Sequence, residues 1–172
     1  MKMCLSDTIS VDNEYRYHDF SFFIYRPKLT RLFLVNYQKM YLKKTVRYIL
    51  SMIRGSVIIY MKKDDEIVGY CLLEPGEGRY PDISGNDIVI SPYVIKEEQR
   101  GKGYGTELLS AVKDIIHNEK KIYAMVKKDN IPSVRAMEKA GYSKIAFADI
   151  HGFLRRYSFN NSDQSEYYVY VS

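Results

Sequence analysis

The stretch Glu98-Gln-Arg-Gly-Lys-Gly-Tyr-Gly-Thr-Glu-Leu-Leu-Ser110 decides the fold of this chain. Gly101, Gly103 and Gly105 alternate with Arg100, Lys102 and Tyr104, so the backbone can bend tightly and leave its N–H groups uncovered. Behind them Leu108, Leu109, Val112, Ile115 and Ile116 form one apolar stripe, with Glu107, Lys113 and Asp114 off it. That spacing predicts an amphipathic helix. A helix N-terminus at this point adds unpaired N–H donors and a positive dipole end. Working outward, residues 87–95 read as a strand, and 120–126 as a strand covered on both faces. The order strand, glycine turn, helix, strand is a βαβ unit whose turn is suited to a phosphate.

Spacing narrows the kind of phosphate site. A Walker A loop needs Gly-Lys followed by Ser or Thr, whereas Gly103 and Tyr104 follow Lys102. A dinucleotide fingerprint needs G-x-G-x-x-G, while these glycines recur every second residue. A turn that merely needs glycines is the plainer alternative for this segment taken alone. Pro92, inside the preceding strand, cannot donate to a central ladder, so a bulge or a parting of neighbouring strands is expected there. A parted strand exposes backbone groups that a ligand with amide groups can use.

Elsewhere, residues 15–24 read as a first strand. Apolar residues from Leu29 to Ile53 at helical spacing predict two helices with a break near 42–45, ended by Gly55. Residues 57–61 and 67–73 are expected strands joined by the polar turn 62–66. The breaker-rich loop 74–86 is either a lip over a binding site or an ordinary connection. Asp129 or Asn130, with Pro132, starts a short helix 134–140 that Gly141 ends. Strands 143–150, 153–159 and 166–171 follow.

At 172 residues the chain suits one domain. Residues 1–13 are polar, with no apolar core of a signal peptide, and no apolar run approaches the roughly 20 residues that span a bilayer. Cys4 and Cys71 cannot build a disulfide framework and lie in no metal-spaced cluster. A cytoplasmic protein without a metal is expected. The net charge of +5 comes from scattered basic residues rather than one stripe, and the tyrosines follow strand and helix periodicities. This argues against a nucleic-acid groove and suits a polyanionic nucleotide.

Two motifs then converge. Arg100-Gly-Lys-Gly-Tyr-Gly105 fits R/Q-x-x-G-x-G/A, and Asn130-x-x-Ser133-x-x-x-Met137-Glu-Lys-x-Gly141-Tyr142 follows it. Together they resemble motifs A and B of the GNAT N-acetyltransferases, over about residues 65–145. The N-terminal third is similar only in element order. The resemblance implies an α/β fold: one GNAT-type domain over 1–172, with a mixed six- to seven-stranded sheet, about four helices and a parted central strand pair. Acceptor-side elements would fall in 15–60, an acetyl-CoA-binding core in 65–145 and C-terminal strands in 143–172.

The same resemblance implies acetyl-CoA as co-substrate and an amine as acceptor. The backbone N–H groups of Gly101, Lys102, Gly103, Tyr104, Gly105 and Thr106 would hold the CoA pyrophosphate, with Arg100 beside them. Val94, Ile95 and Lys96 would pair with the pantetheine amides, and one N–H there would polarise the thioester carbonyl. Asn130 would contact the cofactor, or serve only as a helix cap. Two positions depart from the family pattern. Met137 stands where many relatives carry a tyrosine acid, so Ser133, one turn earlier, is the candidate proton donor. Val89 stands where some carry a carboxylate base. Asp87, two residues earlier on the same strand face, is therefore the first candidate base, with a surface or turn-capping role as its alternative. Glu74, Glu77, Tyr80 and Tyr93 are further candidate acceptor contacts, and His18, His117 and His151 have no partner pattern.

The expected reaction is direct transfer of acetyl to a primary amine in a ternary complex, since neither cysteine sits in a nucleophile context. The expected acceptor is a small molecule such as an amino sugar, polyamine or amino acid derivative. Acetylation of a protein N-terminus or lysine is the alternative enzyme reading, and a catalytically weak acyl-CoA-binding module the non-enzymatic one. No nucleic-acid or membrane partner is expected, and the final strand offers pairing across a homodimer.

Overall fold

The computed structural model describes residues 14–116, 120–152 and 155–172. The chain begins with a hairpin, β1 (Tyr15–Tyr17) and β2 (Phe20–Tyr25), followed by helix α1 (Leu42–Ile53). Then come β3 (Val57–Lys63), β4 (Glu66–Pro75) and β5 (Ile88–Ile95). A 3-10 turn at Glu97–Gln99 leads through the glycines into α2 (Tyr104–Ile115). β6 (Ile122–Lys127), α3 (Ile131–Lys139), β7 (Ser143–His151), β8 (Arg156–Asn160) and β9 (Tyr167–Val171) complete it. All strands join one mixed sheet in the order β1-β2-β3-β4-β5-β6-β9-β7-β8, in which β5 and β6 are the parallel pair.

Three expectations are corrected. The sheet has nine strands rather than six or seven, partly because residues 15–24 turn back at His18, whose φ is +51, into a hairpin. The described residues contain three α-helices rather than about four. The segment before α1 is irregular because its apolar run Leu32–Val35 packs continuously against the sheet, where a helix would turn half of it away. Sheet tyrosines hold it there: Tyr60 Oη accepts from Leu34 N at 2.8 Å, and Tyr70 Oη donates to Asn36 Oδ1 at 2.8 Å. Finally, β9 is an interior strand, bonded to β6 on one side and β7 on the other. Its hydrogen-bonding edges are used, so it cannot pair across a dimer.

The sheet divides two cores. α2 and α3 cover one face, where Leu108, Leu109, Val112 and Met137 pack on Ile88, Ile90, Cys71 and Leu73. Full burial of each large aliphatic side chain contributes about 1.5–3 kcal/mol. On the other face Tyr48 of α1 packs on Ile58, Tyr60, Tyr70 and Leu72. Nearby, Tyr80 and Ile83 of the connection 76–87 pack on Val89, Tyr157 and Val169. The β3–β4 hairpin turns through Asp64 and Asp65, both at positive φ, as a two-residue turn matching strand twist requires. No helix among the described residues is long and apolar enough to cross a membrane.

Candidate active site

β5 and β6 pair only at Ile88–Ile122, Val89–Tyr123 and Ile90–Ala124, then part. The break coincides with a register shift against β4: Leu73 faces Ile90 but Cys71 faces Tyr93, so Ser91 and Pro92 together oppose Leu72. That bulge reverses which backbone groups face β6. Lys96 N donates to Val68 O at 2.9 Å, and hydrogen-bonded pairs alternate along an antiparallel ladder. Val94 and Lys96 therefore spend their backbone groups on β4, while Tyr93 and Ile95 turn theirs into the gap. On the opposite bank the ladder to β9 uses Ala124 and Val126, leaving Met125 and Lys127 toward the gap. Of the three strand residues expected to face a pantetheine arm, the structure turns only Ile95 that way and adds Tyr93.

The gap opens onto the glycine cradle. Gly101 and Gly103 have φ of +78 and +82, and a Cβ at either would meet nothing within 4 Å, so their absent side chains leave space rather than fill a contact. Gly103 caps α2, its carbonyl accepting from Thr106 N and Glu107 N. Among the described residues, the N–H groups of Gly101 to Gly105 take part in none of the turn and cap bonds that surround them. An array of uncommitted N–H groups at a helix N-terminus is an anion site. The side chains frame it from outside: Lys102 Nζ donates to Gln99 Oε1 at 2.8 Å, and Arg100 Nε to Ile95 O at 3.4 Å. Tyr104 turns away, its ring edge-on to Phe20.

Between cradle and α3 stands Tyr93. A Cβ on Gly105 would lie 3.6 Å from its ring, and its hydroxyl donates to Ser133 O at 3.4 Å. Burial raises its pKa, with the contact to Ser133 working against it. Ser133 is half-buried in the first turn of α3, and its N–H donates to Asn130 Oδ1 at 3.4 Å. Asn130 thus acts as the helix cap. Met137 is fully buried in the α2-face core.

Asp87 lies elsewhere. Its Oδ1 accepts from Lys121 N at 3.1 Å, tying together the starts of β5 and β6. A second carboxylate, Glu74, belongs to β4. It sits directly opposite Val89 in the β4–β5 ladder, and opposite residues share a sheet face. It is 1% exposed and lies one residue short of the level where β5 and β6 part. Arg79 Nη1 donates to its Oε1 at 3.2 Å. Burial pushes the Glu74 pKa up, outweighing the opposing pull of Arg79 and Arg54.

Glu74 also lines a cavity of about 240 Å³ between α1, the turn after β4 and the start of β8. Arg47, Arg54, Arg79, Arg156 and Ser51 share its wall. Arg54 is committed to the turn through Gly76 O and Glu77 O, both at 2.9 Å. The turn is tight: a Cβ on Gly76 would lie 2.0 Å from Ser84 O. Apart from Glu74, these residues were not singled out in the sequence. One signal was present, since Arg47 and Ser51 of α1 and Arg54 at its C-cap fall at i, i+4 and i+7, a polar stripe along one side of the helix. Other sequence candidates lie outside: His18 pairs with Glu107 at 2.8 Å, and His151 with Ser158 at 2.8 Å, while Cys4 and His117 fall outside the described residues. Cys71 is fully buried with a raised pKa, the environment of an inert thiol. Among the described residues no group of three or more His, Cys, Asp and Glu is placed to hold a metal ion.

The profile of the acetyltransferase (GNAT) family matches residues 26–142. No curated protein matches the chain in sequence. Among solved structures, the aminoglycoside acetyltransferase AAC(6')-Ib in complex with coenzyme A and kanamycin is similar, with 19% identity and a TM-score of 0.55. That likeness covers 86% of this chain and 77% of the other. The same enzyme with ribostamycin and coenzyme A gives 20%, 0.53, 67% and 64%. A spermidine N-acetyltransferase mutant from Vibrio cholerae gives 17%, 0.50, 68% and 63%. In these last two the chain spans just under two thirds of the relative's length.

Proposed function

The chain belongs to the GNAT acetyltransferase family, and from that premise we propose that it moves the acetyl group of acetyl-CoA directly to a primary amine of a small molecule. The observation that carries this reading is the continuity of the β5–β6 gap with the cradle at 101–106. One end offers unpaired strand backbone and the other uncommitted N–H groups at a helix start. A CoA molecule has the matching parts, two amides in its pantetheine arm and a pyrophosphate beyond them.

In this reading the N–H groups of Gly101 to Gly105 bind the pyrophosphate, helped by the α2 dipole, while that of Thr106, expected to join them, is spent on Gly103 O. Arg100 and Lys102 supply charge from the rim. The backbone of Tyr93 and Ile95 pairs with the pantetheine amides, and an N–H of this stretch stabilises the oxyanion as the amine attacks. Ser133 and Tyr93, which meet at the start of α3, are the hydroxyl groups placed to return a proton to the departing thiolate, directly or through water. Small-molecule acceptors are supported by the solved relatives, which bind aminoglycosides or acetylate spermidine. They are also supported by an acceptor-side opening that is a cavity rather than a groove.

Release of free thiol from acetyl-CoA across a panel of small primary amines tests the proposal. Turnover with at least one of them is expected. Tight acetyl-CoA binding with no turnover on any amine or amine-bearing peptide would instead identify a binding module.

A further inference from the structure

The cavity beside Glu74 is built differently from the cradle. Four arginines and one carboxylate line it, so it carries a net positive charge of three or four, depending on whether Glu74 is ionised. The Arg54 side chain is held by turn carbonyls, and Arg79 by Glu74 and by the rings of Tyr80 and Tyr157. Arg47, half-buried on α1, and Arg156, exposed at the start of β8, are the cations left facing the opening. Leu50 and Ile53 of α1 add an apolar wall. In the wall beside Glu74, the hydroxyl of Ser51 is buried with no hydrogen-bond partner at bonding geometry among the described residues. It lies close enough to Glu74 to pull the carboxyl pKa down against the effect of burial. A buried hydroxyl without a partner costs free energy, and a polar group entering beside Glu74 would satisfy it.

We infer that this cavity takes the acceptor, and that the acceptor is an amine bearing an anionic group, carboxylate or phosphate, on an aliphatic body. Arg47 and Arg156 hold the anion at the mouth, Leu50 and Ile53 pack on the body, and the amine points to Glu74 at the level where β5 and β6 part. The inference rests on the acetyltransferase reading above and narrows its acceptor. Glu74 takes the place of the carboxylate that Val89 does not supply, reaching the same sheet face from the neighbouring strand. The ammonium gives one proton to Glu74; the nitrogen lone pair attacks the thioester carbonyl, the C–N bond forms and the C–S bond breaks. The second nitrogen proton neutralises the thiolate, and the proton on Glu74 passes to solvent. The products are the amide, the CoA thiol and one proton.

The groups facing Glu74 favour this role. Arg79 and Arg54, with Arg47 and Arg156 further out, oppose entry of a bare cation but accept a molecule whose own anion offsets its ammonium. The occupant predicted here therefore differs from the polycations named for the solved relatives.

The test compares matched acceptors on the full chain: a plain alkylamine, the ω-amino carboxylic acid and the aminoalkyl phosphate of equal length, and spermidine. Thiol release gives kcat/KM for each, and calorimetry gives acceptor and acetyl-CoA affinities separately. The expected result is at least about a tenfold preference for one of the two anionic amines, the size of one or two charged contacts. The carboxylate and phosphate arms show which anion is used. In Arg47→Ala/Arg156→Ala that preference falls at least about tenfold, through KM. Preference for spermidine or the plain amine overturns the inference, as does an equal loss on every acceptor in the double variant. If acetyl-CoA binds and amines react without any anion preference, only this inference fails; if acetyl-CoA does not bind, the acetyltransferase reading fails with it.

Discussion

On the α2 face of the sheet the groups offered to a ligand are backbone: the N–H groups of 101–105 and the gap edges of Tyr93 and Ile95. On the α1 face they are side chains, with Glu74, Ser51 and four arginines drawn from α1, the turn after β4 and β8. Backbone recognition suits a part common to every turnover, the CoA pyrophosphate and pantetheine, and it needs only glycines and a bulge at the right places. Side-chain recognition suits the variable partner, since a few substitutions change it without disturbing the sheet. The two meet near Ile90, where β5 leaves β6.

The largest effect that bears on this division is expected at Glu74. Glu74→Gln keeps the size and the contact to Arg79 but removes the base. It lowers kcat by about a hundredfold or more, the range of general base catalysis, while acetyl-CoA affinity stays within error. In the wild type, kcat/KM rises with pH through an apparent pKa above the ordinary carboxylate value, because burial raises that of Glu74. Glu74→Asp restores part of the rate, and Glu74→Gln loses this acidic limb. A full rate in Glu74→Gln would break the comparison by removing the chemistry from the α1 face.

The next effect belongs to the cradle. Gly103→Val places a branched side chain at φ +82, a backbone state such residues avoid, and projects it into the pyrophosphate space. Acetyl-CoA affinity, measured by calorimetry, weakens at least about tenfold. An unchanged affinity would place the pyrophosphate elsewhere.

A smaller effect sharpens the account of Glu74. Its folded-state pKa lies above the ordinary value of 4.5, so the folded protein holds that proton more tightly than the unfolded chain. Its contribution favours folding below pH 4.5 and is lost as pH rises through the folded pKa. At neutral pH Glu74→Gln therefore has a higher thermal midpoint than the wild type, by about 2–4 °C per kcal/mol for a chain of this size. The difference shrinks as pH falls toward 4.5. The smallest effects are expected at two positions singled out in the sequence. Asn130→Ala removes the α3 cap at a cost of about 1 kcal/mol, with little change in acetyl-CoA affinity once the protein is folded. Asp87→Asn keeps an acceptor for Lys121 N and leaves kcat within about twofold, well inside the range of a missing base.

The cradle was legible because glycine spacing and helix periodicity are local. Pro92 likewise marked the bulge and parting that the β5 register shows. The acceptor side was not legible, since it depends on register. Only the pairing of Glu74 with Val89, 15 positions apart in sequence, brings a carboxylate of the neighbouring strand beside that position. Arg79 and Arg156 reach the cavity from a loop and a distant strand. The helix expected across 29–41 failed for a related reason: its apolar residues match a helical period, but the tyrosines of β3 and β4 hold that segment in an irregular path.

A structure of the protein with coenzyme A and the preferred acceptor, or its acetylated product, tests the central claim most directly. The account predicts the pyrophosphate on the N–H groups of 101–105, the pantetheine arm between β5 and β6, and the acceptor nitrogen beside Glu74, reached from the α1 face. A pyrophosphate bound away from residues 101–106, or an acceptor entering from the α2 face, would contradict it.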